Sequence, residues 1–157
     1  MTGQNTVENV VVEQLRFTGR PALTREADEL SELMRQLSQR SFQSLTPADL
    51  HEILEDKSKQ VLVVRDAAGR IIGTGTLVTI KQLVGPKHRI EDVVVLEEVR
   101  GLGIGKALTK ALVEVAKSQG AKSVELTSSR PKAQQLYYDL GFRQRDTMTM
   151  TLQLQPS

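Results

Sequence analysis

The chain has 157 residues, 39% of them hydrophobic and 25% charged, a length and balance that bury about 68–70% of the exposable surface in one core and exclude a disordered polypeptide. With no cysteine it excludes disulfide frameworks, thiolate zinc sites, iron–sulfur clusters and thiol nucleophiles, and His51 and His88 stand in no ligand spacing, so no metal is expected. The 21 Lys and Arg against 19 Asp and Glu leave a net charge of +2, too small a surplus to argue for a nucleic-acid footprint or an anionic membrane surface.

Residues 1–9 are polar and read as a flexible N-terminus without the apolar core of a secretory signal, and 10–155 read as one domain. Apart from glycine-containing stretches the apolar runs stop at about four residues, where a bilayer span needs about 20, so a cytoplasmic protein is expected. Val10 to Phe17 carries the β-branched and aromatic content of a first strand, closed by Gly19 and Pro21. From Thr24 to Gln39 apolar residues recur at steps of three and four, one face of a helix. Thr46-Pro47-Ala48-Asp49 then supplies a capping hydroxyl, a proline at the first helical position and an acid three residues after the cap. Val61–Arg65 and Ile71–Ile80 are β-rich runs joined by Asp66-Ala67-Ala68-Gly69-Arg70, an antiparallel hairpin.

The second half alternates. Ile90–Val95 reads as a strand, Gly103–Gln119 as a helix stopped by Gly120, Val124–Thr127 as a strand, and Pro131–Leu140 as a helix stopped by Gly141. That order predicts a parallel β-α-β crossover. Thr147–Leu154 alternates at period two and reads as a half-buried strand at an edge or a subunit boundary. The fold class expected is mixed α/β, a central sheet of about six or seven strands with about four helices, antiparallel early and parallel at the crossover.

Chemistry concentrates where the strand ending at Val95 meets the helix beginning near Gly103. Arg100-Gly101-Leu102-Gly103-Ile104-Gly105-Lys106 sets three glycines at alternate positions, so amide N–H groups can converge on one anion at a helix N-terminus. A tight turn would use the same glycines. A dinucleotide fingerprint fails, because its third glycine falls on Lys106 or Leu108, and a P-loop fails, because its first glycine and its hydroxyl residue would be Arg100 and Ala107.

What remains, R-x-x-G-x-G, resembles the coenzyme A pyrophosphate loop of the GNAT superfamily of N-acetyltransferases. The likeness runs from about Ile90 to Phe142 through IEDVVV, RGLGIG, the helix, VELTSS and AQQLYYDLGF. It implies a GNAT-like sheet and acetyl-CoA as cosubstrate, held by Arg100, Gly101, Leu102, Gly103, Ile104, Gly105, Lys106 and the amides of Val93, Val94 and Val95. It also implies that Tyr137, four residues before Gly141, lies near the sulfur as a proton donor, while Tyr138 takes no such role. Arg130 stands where many relatives carry a coenzyme A-contacting asparagine, and its guanidinium is charged for the same task.

IEDVVV is similar to the corresponding strand of glucosamine-phosphate N-acetyltransferases, whose acidic pair touches an amino sugar. Adjacent strand residues face opposite ways, so at most one of Glu91 and Asp92 easily enters a cleft, and both are candidates for substrate binding. Glu91 is favoured over His88 as the proton acceptor, since His88 follows Pro86-Lys87 in what reads as a loop. The activity implied is acetyl transfer to a primary amine of a small molecule by direct attack. A protein-amine acetyltransferase, a non-catalytic acyl-CoA sensor and a nucleotide-binding protein stand as alternatives. A homodimer is expected through TMTMTLQL, which would otherwise present an unpaired edge.

Overall fold

A computed structural model describes residues 10–37 and 43–156; the expectation of a flexible segment over 1–9, and the end of the first helix past Leu37, lie outside these residues. The chain divides into two compact units, one running to Thr127 and the other beginning at Ser128. In the first, the elements are β1 (Glu13–Gln14), α1 (Arg20–Leu37), α2 (Pro47–Glu55), β2 (Lys59–Arg65), β3 (Ile71–Ile80), β4 (Lys87–Val95), a 3-10 turn (Glu97–Val99) and α3 (Ile104–Ser118), while α4 (Pro131–Asp139) belongs to the second.

Local chemistry sets most of the boundaries. Thr46 accepts from the Asp49 amide at 3.1 Å while Asp49 accepts from the Thr46 amide at 3.0 Å, so two orphan donors at the start of α2 are satisfied reciprocally. Gly69 turns the β2–β3 hairpin at φ +85°. At the end of α3 the Ala121 amide reaches back to the Ala116 carbonyl at 3.0 Å past Gly120 at φ +77°, a glycine-capped stop. Helix α1 begins four residues before Thr24, because Pro21 is pre-set for a first helical turn and does not merely end the preceding strand.

Among the described residues the sheet has four strands in the order β1-β2-β3-β4, every pair antiparallel. Val61, Leu62, Val63 and Val64 are all buried, which requires cover on both faces of β2. Helix α1 supplies one cover: Leu23, Ala27, Leu30 and Leu33 pack with Leu50 of α2 and with Val61, Val63, Ile71, Val94 and Leu96. Helix α3 lies over β3 and β4 through Ile104, Leu108 and Leu112, and it comes close because β3 carries Gly73 and Gly75. A Cβ at Gly73 would stand 2.9 Å from Ile104 Cγ2, and one at Gly75 2.9 Å from Leu112 Cδ1. No helix among the described residues is long and apolar enough to cross a membrane.

The expected sheet of six or seven strands is corrected to four. The first strand is reduced to Glu13–Gln14, opposite Val63 and Leu62, with the Leu15 amide donating to the Val61 carbonyl at 2.8 Å just past its end. The segment 124–127 reaches β4 through one parallel bridge, Arg89 with Glu125, where the Ile90 amide donates to the Glu125 carbonyl at 2.9 Å and the Glu125 amide to His88 at 3.1 Å. The crossover is therefore parallel, but its pairing stops where β4 carries an irregularity that re-aims the strand. Thr147–Leu154 forms no strand: Met148, Met150, Leu152 and Leu154 are 81–85% exposed. Alternation records a preference for a two-faced environment, and a strand also needs a hydrogen-bonding neighbour.

Candidate active site

Strand β4 breaks its own ladder at the acidic pair. Thr76 of β3 stands opposite Glu91 and Thr74 opposite Val94, so Asp92 and Val93 together face the single residue Gly75. This is a β-bulge, with Asp92 at φ +54°, the one non-glycine residue described with positive φ. A bulge takes backbone groups out of the pairing and turns side chains from the strict alternation of a strand. Past Ile90 the outer edge of β4 has no strand partner among the described residues, which leaves Val93 and Val94 along an open edge.

The two acids live differently. Glu91 accepts from Arg89 Nε at 2.7 Å, and the same guanidinium donates to Thr127 Oγ1 at 3.1 Å. The Asp92 carboxylate has no hydrogen bond or ion pair among the described residues, and the residue is open to solvent. Partial desolvation, and secondarily the Glu91 carboxylate, push its carboxyl above the ordinary carboxylate value. His88 is not a loop residue: Pro86 precedes the first strand position, where a missing N–H is tolerated, and His88 is 6% exposed within β4.

The glycine loop leads from this strand into α3. Gly101 and Gly103 take left-handed conformations at φ +82° and +83°, and Gly103 caps α3 without a side-chain hydrogen bond. The first helical bond runs from the Ala107 amide to the Gly103 carbonyl, so the amides of Ile104, Gly105 and Lys106 have no acceptor among the described residues. Open donors at the positive end of a 15-residue helix suit a pyrophosphate, and a Cβ built at Gly101 would meet nothing within 4 Å. Arg100 turns inward: its Nε donates to the Val95 carbonyl at 3.1 Å and its Nη2 to Gln36 Oε1 at 3.1 Å, tying the loop to the end of β4. Lys106 and Leu102 are exposed beside the open amides.

Tyr137 and Arg130 belong to the second unit. Arg130 precedes α4, whose first position is Pro131. Tyr137 is half-buried, packs edge-on against Phe142 with ring centroids 5.7 Å apart, and its carbonyl receives the Phe142 amide at 3.0 Å past Gly141. Burial pushes its phenol up, which keeps it protonated and able to donate. Tyr138 on the same helix is 43% exposed.

The sequence-predicted residues thus fall in two sets, with Glu91, Asp92, Val93–Val95 and Arg100–Lys106 on consecutive elements of the first unit and Arg130 and Tyr137 in the second. Sequence reading missed the partners of Arg89. The signal was present as Arg89-x-Glu91, two residues on one face of a strand, but Glu125 and Thr127 come alongside only through the crossover.

The profile described as the acetyltransferase (GNAT) family matches residues 27–142, most of the chain and both sets of site residues. The chain belongs to this family. It is 41% identical over 83 residues to a glucosamine 6-phosphate N-acetyltransferase of Trypanosoma brucei brucei, covering 48% of this GNAT chain and 52% of that protein. It is 35% identical over 101 residues to a probable glucosamine 6-phosphate N-acetyltransferase 2 of Oryza sativa subsp. japonica, covering 60% and 59%. The matches thus span little more than half the length of these curated relatives. A crystal structure of a Trypanosoma brucei acetyltransferase shares the fold with a TM-score of 0.74 at 28% identity, covering 93% of this chain and 100% of that one.

Proposed function

We propose that this GNAT protein is an acetyl-CoA-dependent N-acetyltransferase that acetylates a primary amine of a small molecule, with an amino sugar phosphate as the leading acceptor. The observation that carries the reading is the uncapped start of α3, with its open Ile104, Gly105 and Lys106 amides, set one turn beyond a β4 strand broken by an acidic bulge. The names of the trypanosomal and rice relatives support the amino sugar phosphate.

Acetyl-CoA supplies an activated thioester. The residues of the chain do the rest in this reading. The α3 amides hold the pyrophosphate, and the amides of Val93–Val95 orient the pantetheine and the acetyl carbonyl, a donor contribution worth about 3 kcal/mol when well aimed. The acidic pair holds the acceptor ammonium and takes one proton from it, which frees the nitrogen lone pair for attack. Tyr137 donates to the departing sulfur, a general-acid role worth about 10² to 10⁴ in rate. Arg130 adds positive charge for the coenzyme phosphates. Residues 10–155 act as one acyltransferase domain, and the exposed row Met148, Met150, Leu152 and Leu154 supports a homodimer built on that segment.

The test is release of free thiol from acetyl-CoA with a panel of amines that includes glucosamine 6-phosphate, a polyamine and a peptide amine. Release with the sugar phosphate and little with the others is expected. Release only with a polyamine or peptide would reject the sugar acceptor and keep the acetyltransferase, whereas coenzyme A binding with no release from any amine would make the protein a sensor.

A further inference from the structure

Lys87, Arg89 and Glu91 alternate along β4, so strand geometry sets all three on one face. The Arg89 guanidinium is engaged on every side: Nε donates to Glu91 Oε1 at 2.7 Å, Nη2 donates to Thr127 Oγ1 at 3.1 Å, and Nη1 lies 3.7 Å from Glu125 Oε1. Lys87 pairs with the same Glu125 oxygen. Two cations and two carboxylates make a neutral row that locks the 125–127 segment beside β4, at the one place where the two backbones also bond. Asp92, turned out by the bulge, is the acid left over.

We propose that Arg89 is a positioning residue for the acetyl-transfer site: it ties up the Glu91 carboxylate beside Thr127, and so leaves Asp92 as the carboxylate that receives the acceptor ammonium and its proton. The assignment rests on the acetyltransferase reading and divides a labour which that reading leaves to the pair. A carboxylate in a short bond to a guanidinium is a weakened base, because protonation would break a charge-assisted hydrogen bond. Asp92 has no such bond among the described residues, and partial desolvation favours the protonated form it must adopt in passing. The protons balance. Asp92 takes one from the ammonium and returns it to solvent, the nitrogen forms the C–N bond as the C–S bond breaks, and the proton the nitrogen then loses matches the one the sulfur gains.

The groups that face the row are Lys87 and Arg89 on β4, Thr76 opposite Glu91 on β3, and Glu125 and Thr127 beyond α3, so removal of Arg89 leaves Glu91 with Lys87 as the nearest cation on its strand. The experiment measures kcat and KM for the amine by thiol release, with glucosamine 6-phosphate as probe, from about pH 6 to 9, alongside coenzyme A binding by calorimetry. Asp92→Asn is expected to lower kcat/KM about 100-fold or more, with coenzyme A affinity within about twofold of wild type. Glu91→Gln should cost less than about tenfold. Arg89→Met, by freeing Glu91 as a second base, should move the acid limb of the pH profile, and Glu91→Gln added to Arg89→Met should remove that shift. Arg89→Lys keeps the charge without the planar fork and should fall between. A larger loss in Glu91→Gln than in Asp92→Asn overturns the assignment while the acetyltransferase stands, and so does an Arg89→Met profile that overlays wild type. If Arg89→Met does not fold, the ranking of the two acid variants decides. Wild-type protein that releases no thiol with any amine overturns the acetyltransferase reading and this assignment with it.

Discussion

Gly73→Ala probes whether the position of the first turn of α3 is what binds the coenzyme. The added Cβ would lie 2.9 Å from Ile104 Cγ2 and 3.1 Å from Leu108 Cδ1, with Val95 Cγ2 at 3.6 Å. Ile104 is 5% exposed and Leu108 0%, so neither side chain can swing into solvent, and the helix itself must retreat. Overpacking by one methyl costs about 1–3 kcal/mol, while alanine in a strand is favoured over glycine by about 0.5–1 kcal/mol, so a net loss of about 0.5–2 kcal/mol is expected. A shift of the urea midpoint at constant m-value reads it. Because Ile104 carries one of the open amides, coenzyme A affinity should also fall about five- to tenfold, or about 1–1.4 kcal/mol, by calorimetry. Gly69→Ala is the control: nothing lies within 4 Å, but φ of +85° makes alanine strained by about 1–2 kcal/mol, so stability should drop with coenzyme A affinity unchanged. A destabilised Gly73→Ala protein that keeps its affinity within about twofold would refute the idea that the α3 turn holds the ligand.

Gly103→Val combines a side chain at the mouth of the loop with a left-handed φ of +83°, and should weaken coenzyme A binding at least about tenfold, or about 1.4 kcal/mol, in a direct titration. Tyr137→Phe should lower kcat about tenfold or more with the coenzyme affinity kept, whereas Tyr138→Phe, on the exposed side of α4, should leave steady-state rates unchanged. Arg65 donates to Glu26 at 2.7 Å, and Glu26 is 3% exposed, with its second oxygen lacking any partner among the described residues. Arg65→Met should therefore cost about 3–5 kcal/mol in chemical denaturation, and Glu26→Leu in the same chain should recover much of it. For Asp92 the folded-state pKa is raised, so the folded protein gives up this proton less readily than the unfolded chain, and stability falls as pH rises through that window. Asp92→Asn should raise Tm at pH 7 and lose that advantage in strong acid, where both states are protonated.

Features set by short-range chemistry were legible in the sequence. The Thr46–Asp49 box, the turn at Gly69 and the glycine-capped end of α3 each depend on residues within one turn of each other, and the structure places them as read. The loop Arg100–Lys106 was legible for the same reason: glycine is the residue that takes left-handed backbone at least cost, and Gly101 and Gly103 both do so. The bulge was not, because it exists only as a mismatch between β4 and Gly75 of a neighbouring strand, and no local pattern in IEDVVV encodes a register. The partners of Arg89 were missed on similar grounds, since Glu125 and Thr127 reach it across the whole of α3. Thr147–Leu154 shows the reverse error, in which a strong period of two was read as a strand although pairing, which it does not encode, decides the matter.

Three departures from local rules lie together in this chain. Gly73 and Gly75 weaken the interior of a strand, Asp92 occupies a conformation that disfavours side chains, and α3 starts without a side-chain cap. Each lowers stability when taken alone. Each also opens space or donors along the line from β4 into α3, and departures from local consistency that converge on one place are the signature of a site and not of a flaw in the fold. Asp92 sharpens the point, because asparagine tolerates positive φ about as well as aspartate does. A stabilising Asp92→Asn change would therefore isolate the charge itself, and with it the acceptor chemistry, as the reason a raised and unpaired carboxyl is kept on the bulge.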